Sequence, residues 1–198
     1  MYPDLYLIRH GQSVWNREGR MQGRLDSPLT ETGRGQARRL APLVASIEGI
    51  WLSSPQGRAV ETATILFGAG NFATDPRLAE IDVGEFSGRR IEESRRDHPE
   101  IFAGHRLAWY DRAPGGEHFA GLAARVSDFL HGLPGPAVIV THGITLRMLR
   151  IVAMARPLCE LGSLPVEQGS MHVIRAGRHQ TWRPEGDQQG LAPGGAAG

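Results

Sequence analysis

Two apolar runs in this sequence, Leu5 to Arg9 and Ala137 to Thr141, each end in a His-Gly pair, His10-Gly11 and His142-Gly143. Arg9 stands immediately before the first histidine. A third run, Ile50 to Ser53, is followed by Ser54-Pro55 and a predicted helix whose first turn carries Arg58. Two imidazoles and two guanidiniums at one place make a pocket for a dianion, because the arginine fork stays charged and grips phosphate or carboxylate oxygens. The glycines let backbone come close to that anion. A lone histidine after a strand is usually a hydrogen-bonded structural residue. Two strands sharing this ending, with an arginine before the first, point to a common site.

These groups meet only if the runs lie side by side in one sheet. The alternation of strands and helices predicts an α/β fold, a three-layer sandwich with a mostly parallel central sheet flanked by helices. Ligands of such sheets bind just outside the carboxyl ends of the strands. Thr30 is the predicted N-cap of a helix carrying Leu40, Leu43, Val44 and Ile47 at helical spacing, with Gly33 and Gly35 weakening its start. Another helix spans Gln56 to Phe67. Phe119, Leu122, Val126, Phe129, Leu130 and Leu133 trace one that stops at Pro134-Gly135-Pro136, and a further helix follows His142-Gly143.

The remaining segments are less regular. Phe72 to Leu78 reads as an extended piece that Pro76 confines to an edge or a loop. Residues 85–117, rich in arginine, glycine and acids, read as a loop or lid with a short helix near Ile91 to Arg96. Ser170 to Arg175 and His179 to Arg183 form a closing hairpin or edge. Residues 1–183 are expected to make a single domain, and the Gly- and Pro-rich stretch 184–198 a disordered tail.

Composition removes several classes of function. The 198 residues are 40% apolar and 22% charged, with a net charge of +1, so no extended field draws in nucleic acid or an anionic membrane. All 22 basic residues are arginine. Without lysine there is no Walker-type phosphate loop, Schiff base or lysine general base. Cys159 is the sole cysteine, so neither a disulfide framework nor a cysteine zinc site forms within one chain. The N-terminus lacks a secretory pattern and no apolar run is long enough to span a bilayer. A cytoplasmic location is expected.

Several blocks together resemble the histidine phosphatase superfamily, in the branch containing the cofactor-dependent phosphoglycerate mutases. They are LIRHG (Leu7 to Gly11), Asn16, MQGRLDSPLTETG (Met21 to Gly33), SSPQGRAVETA (Ser53 to Ala63), LAEIDVGEFSG (Leu78 to Gly88) and THGITLR (Thr141 to Arg147), in family order. The resemblance implies that His10 is the nucleophile that takes the phosphoryl group. It implies that Arg9, Arg58 and His142 hold the phosphate oxygens, helped by Asn16 and the backbone N–H of Gly143, and that Glu80 is the proton donor. Gln22 and Gly23 match positions near the rest of the substrate. Neither a metal nor another cofactor is implied. Phe86-Ser87-Gly88 departs from an aromatic-acidic pair common in these phosphatases, and His118 stands where serine is more usual. Asp82 and Glu85 flank Glu80 and are rivals for the acid role.

Phosphatase and mutase differ in how well water is kept from the phosphoenzyme. Only 61 residues separate Glu80 from His142, a shorter interval than the family's mutases carry. This favours hydrolysis of a small-molecule phosphate monoester, with mutase-type transfer as the alternative. Arg89, Arg90, Arg95, Arg96, His105, Arg106, Trp109 and Tyr110 are expected to set the choice of metabolite, their arginines pointing to a second acidic group on it. A metal-dependent hydrolase lacks ligand spacing here. The match GAGNFA (Gly68 to Ala73) to a dinucleotide loop follows a predicted helix rather than a strand.

Overall fold

The computed structural model describes residues 2–184. Its strands are β1 (Leu5–Arg9), β2 (Ile50–Ser53), β3 (Ala73–Thr74), β4 (Ala137–Thr141), β5 (Met171–Arg175) and β6 (Arg178–Trp182). Its helices are α1 (Val14–Glu18), α2 (Glu31–Ala45), α3 (Gly57–Phe67), α4 (Ile91–Asp97), α5 (Pro99–Phe102), α6 (His118–His131) and α7 (Gly143–Ala153). The strands form one sheet in the order β3-β2-β4-β1-β5-β6. The first four run parallel, and β5 and β6 close one edge as an antiparallel hairpin.

Side chains of a strand alternate between faces, and here the alternation builds two cores. Leu5, Leu7, Ala137 and Ile139 face α6 and α7, meeting Leu122, Val126, Leu146 and Leu149. Tyr6, Ile8, Val138 and Val140 face α2 and α3, meeting Leu40, Val44, Ala63 and Phe67. Three layers result. The β1–β4 register aligns Arg9 with Thr141, so the two His-Gly pairs leave the sheet side by side at its carboxyl edge.

Several expectations change. The piece predicted over Phe72 to Leu78 shrinks to the two-residue edge strand β3, followed by a 3₁₀ turn at Pro76–Leu78. Within residues 85–117 the expected short helix stands as α4, joined by α5 and a 3₁₀ turn at Ala108–Asp111. Phe86, Leu107, Trp109 and Ala113 are buried in the same core as β1 and β4, and the rings of Phe86, Phe102 and Trp109 lie 5.2–6.2 Å apart. Helix α1 lies in a segment for which the sequence predicts no element. Ser13 caps it, with a reciprocal bond to Asn16. Residues 185–198, the bulk of the predicted tail, lie outside the described residues.

Gly33 has a different meaning from the weak helix start expected of it. A Cβ there would stand 2.2 Å from the carbonyl oxygen of Gln12, and one on Gly11 would stand 2.3 Å from that of Gly33. Two glycines let α2 press against the loop that follows β1, and that loop carries His10.

Candidate active site

His10 emerges from β1 with its backbone N–H bonded to the carbonyl of Thr141 on β4 (2.9 Å). Its Nδ1 lies 2.7 Å from the carbonyl oxygen of Gly11. A carbonyl only accepts, so Nδ1 carries the proton and Nε2 keeps its lone pair. Arg58 donates from Nε to that Nε2 across 3.3 Å. Burial, Arg58 and Arg9 together push the pKa of His10 well below its ordinary value, which keeps the ring neutral.

Arg58 starts α3 and is only 1% exposed. Its Nη1 donates to the carbonyl of Leu25 (2.7 Å) and to Asp26 (2.9 Å), and its Nη2 to the carbonyl of Gly23 (3.1 Å). The guanidinium is therefore fixed before any ligand arrives. Thr62, one turn along α3, bonds the carbonyl of Arg58 and accepts from the N–H of Gly11, tying the two loops together. Among the described residues Arg9 has one bond, from Nη1 to the carbonyl of Val166 (3.3 Å), and its buried Nε has no partner.

Glu80 lies at the N-terminus of α7, where dipole and free N–H groups favour an anion. Its carboxylate accepts from the N–H groups of Ile144 (3.2 Å) and Thr145 (3.0 Å). The hydroxyls of Thr141 and Thr145 donate to the carbonyls of Leu78 and Ala79, and Gln56 accepts from the N–H of Glu80. These bonds hold the acidic segment against the end of β4.

A cavity of about 270 Å³ opens over these groups. Arg9, His10, Asn16, Gln22, Gly23, Arg58, Glu80 and Gly143 all line it. His142 does not. Its ring is fully buried beside that of His10, 5.1 Å between centroids, with Nε2 against the hydroxyl of Ser54 (2.7 Å) and Nδ1 without a partner. Burial and the neighbouring Arg58 and His10 hold its pKa well below the ordinary value. Asn16 accepts from Gln168 (3.0 Å), and Gln22 from Ser13 (3.1 Å).

The variable segment divides sharply. Arg106, Trp109 and Tyr110 line the cavity, whereas Arg89 pairs with Asp97 and Arg95 and Arg96 lie exposed on α4. Asp82, Glu85 and His118 are absent from the cavity wall. Asp82 is occupied with the N–H of Gly84, and His118 Nδ1 lies 2.8 Å from the carbonyl of Asp111. Sequence reasoning missed Arg147, which also lines the cavity. Its signal was present: four residues beyond Gly143 on a helix is the same face.

A phosphoryl group fits this wall chemically, since it offers a neutral imidazole lone pair, fixed guanidiniums and a carboxylate. Known proteins resemble this chain over most of its length. Phosphoserine phosphatase 1 of Hydrogenobacter thermophilus is 32% identical over 183 residues, covering 86% of this chain and 85% of that one. A probable phosphoglycerate mutase of Yersinia pestis is 35% identical over 166 residues, covering 77% and 75%. The solved structure of a mycobacterial glucosyl-3-phosphoglycerate phosphatase superposes with a TM-score of 0.77 at 29% identity, covering 91% of this chain and 98% of that one. The profile of the histidine phosphatase superfamily (branch 1) matches residues 5–185, and this chain belongs to that family.

Proposed function

We propose that the protein is a cytoplasmic phosphatase that hydrolyses a small-molecule phosphate monoester through a phosphohistidine at His10. One observation carries the reading: the Gly11 carbonyl holds the Nδ1 proton of His10, leaving an unprotonated Nε2 beside Arg58 in the cavity wall. In the first step Nε2 attacks phosphorus, the P–N bond forms and the P–O bond to the alcohol breaks. The substrate enters as a monoanion, and its proton passes through Glu80 to the leaving oxygen. In the second step water attacks the phosphohistidine, losing a proton to Glu80, and the P–N bond breaks to release phosphate and restore His10.

Arg9, Arg58 and Asn16 hold the phosphoryl oxygens with the N–H of Gly143. Gln22 and Gly23 border the alcohol part of the substrate. His142 contributes from behind the wall. With the Ser54 hydroxyl donating to Nε2, Nδ1 becomes an unpartnered buried N–H next to the reacting ring, free to bond a phosphoryl oxygen. Fixed guanidiniums supply the positive charge that a metal ion brings to other phosphoryl-transfer sites, so the reaction proceeds without one.

The phosphatase names of two relatives support hydrolysis, as does the short interval between Glu80 and His142. The probable mutase among the relatives keeps mutase-type transfer as the second reading. Screening a panel of phosphorylated metabolites for phosphate release, with interconversion of phosphoglycerates measured alongside, separates the two. Phosphate release faster than interconversion is expected. Interconversion outrunning release would replace this reading with the mutase.

A further inference from the structure

Among the described residues Arg147 has no carboxylate bonded to it, Glu80 acting on it only at longer range. It is 7% exposed, and its hydrogen bonds go to backbone carbonyls only, from Nε to Leu164 (2.9 Å) and from Nη1 to Gly143 (3.3 Å). Neither bond engages Nη2. Arg58 in the same wall is paired with Asp26, whereas among the described residues neither Arg9 nor Arg147 has a carboxylate bonded to it. Leaving a buried charge unpaired costs stability unless something else neutralises it.

Its surroundings narrow what that could be. Tyr110 stacks on Trp109 at 3.8 Å and stands among Glu80, Arg9, Arg147 and Arg106. Tyr110, Arg106 and Arg147 all line the cavity that holds His10. Burial brings the pKa of Arg147 down to about 10, which still leaves it charged at neutral pH. Burial likewise pushes the Tyr110 phenol upward, so its hydroxyl remains a neutral donor. Together they present N–H and O–H donors and positive charge to the cavity.

We propose that Arg147, with Tyr110 and Arg106, forms a second anion subsite that reads a carboxylate on the substrate. The inference rests on the phosphatase reading above for the place of the phosphoryl group. Arg147 follows Gly143 by four residues of α7, about 6 Å along the helix axis. The substrate is therefore a short phosphomonoester in which a few bonds separate phosphate from carboxylate. A planar carboxylate matches the donors that remain, one oxygen for Nη2 of Arg147 and one for the Tyr110 hydroxyl.

The test uses matched pairs that differ in the carboxylate: 3-phosphoglycerate against glycerol 3-phosphate, and phosphoserine against phosphoethanolamine. Wild-type kcat/KM is expected to favour the carboxylate member of at least one pair by about ten-fold or more, the scale of a charge-assisted bond. The same preference is expected in direct binding to the His10→Ala protein, which reports the subsite even if the chemistry assigned to His10 is wrong. Arg147→Met should bring the ratio near unity, and Arg147→Lys should restore part of it. Equal affinity within both pairs overturns the subsite without needing any Arg147 variant to fold. A preference that survives in Arg147→Met overturns the role given to Arg147. Retained preference in binding with no phosphoryl transfer by wild type would instead remove the reaction and leave the subsite standing.

Discussion

Arg58 donates from Nε to the Nε2 of His10 across 3.3 Å while its other nitrogens are held by Gly23, Leu25 and Asp26. The guanidinium thus touches the atom assigned to attack phosphorus, and it is oriented by the backbone of the 23–26 loop rather than by the ligand. Such a fixed donor costs no reorganisation when charge develops on the phosphoryl oxygens.

Replacing Arg58 by methionine is expected to lower kcat by about 10²–10³-fold, the scale of losing a preorganised donor. Arg58→Lys should not recover the loss, since an ammonium cannot span His10, Asp26 and two carbonyls at once. Asp26→Asn should cost less than either, because Asp26 only orients Arg58. Steady-state kinetics on p-nitrophenyl phosphate checks the order, and full activity in Arg58→Lys would contradict it.

Glu80→Gln is expected to slow hydrolysis most where the leaving group is a poor one. With alkyl phosphates the loss should reach about 10²-fold or more, the usual scale of general acid catalysis, and with p-nitrophenolate it should be far smaller. Equal losses on both would remove the acid role.

Gly33→Ala places a methyl where the Gln12 carbonyl already stands. Because that carbonyl belongs to the loop carrying His10, the substitution should damage activity as well as stability, the latter by about 1–3 kcal/mol. Gly35→Ala, whose Cβ meets only the end of the Arg39 side chain, is the control and should be neutral or stabilising. Urea titration and kcat on both variants decide it.

Stability should fall as pH drops below about 6.5. His10, His142 and His172 are buried with pKa values pushed below the ordinary one, that of His172 to about 3. The unfolded chain binds protons at these positions before the folded one does, so acid favours unfolding. Each fully buried histidine contributes up to about 1.4 kcal/mol per pH unit below 6.5, a loss that for His172 continues to about pH 3. Urea midpoints between pH 7.5 and 5 should decline. A flat profile would mean that these rings accept protons in the folded state.

The parts legible in the sequence were those with strong local patterns. Strands β1, β2 and β4 are uninterrupted apolar runs, and α2, α3, α6 and α7 carry helical spacing, so the carboxyl edge bearing His10 and His142 follows directly. Helix α1, five residues long, is too short for periodicity and was betrayed only by Ser13 and Asn16. In residues 85–117 the aromatics Phe86, Phe102 and Trp109 lie far apart in sequence and are joined by packing, which no local pattern reveals. Arg147 was hidden among the apolar residues of α7, and the arginines of α4 drew attention instead, though they face solvent. Gly33 looked like a weak helix start because the contact that demands it comes from a different loop.

Hydrolysis by this route requires a phosphoryl group bound to Nε2 of His10. Rapid acid-free quench of wild type with ³²P-labelled substrate, followed by peptide mapping, should recover label on the peptide containing His10 as an acid-labile, base-stable phosphohistidine, and none in His10→Ala. Label persisting in His10→Ala, or turnover of that variant at the wild-type rate, would contradict the assignment.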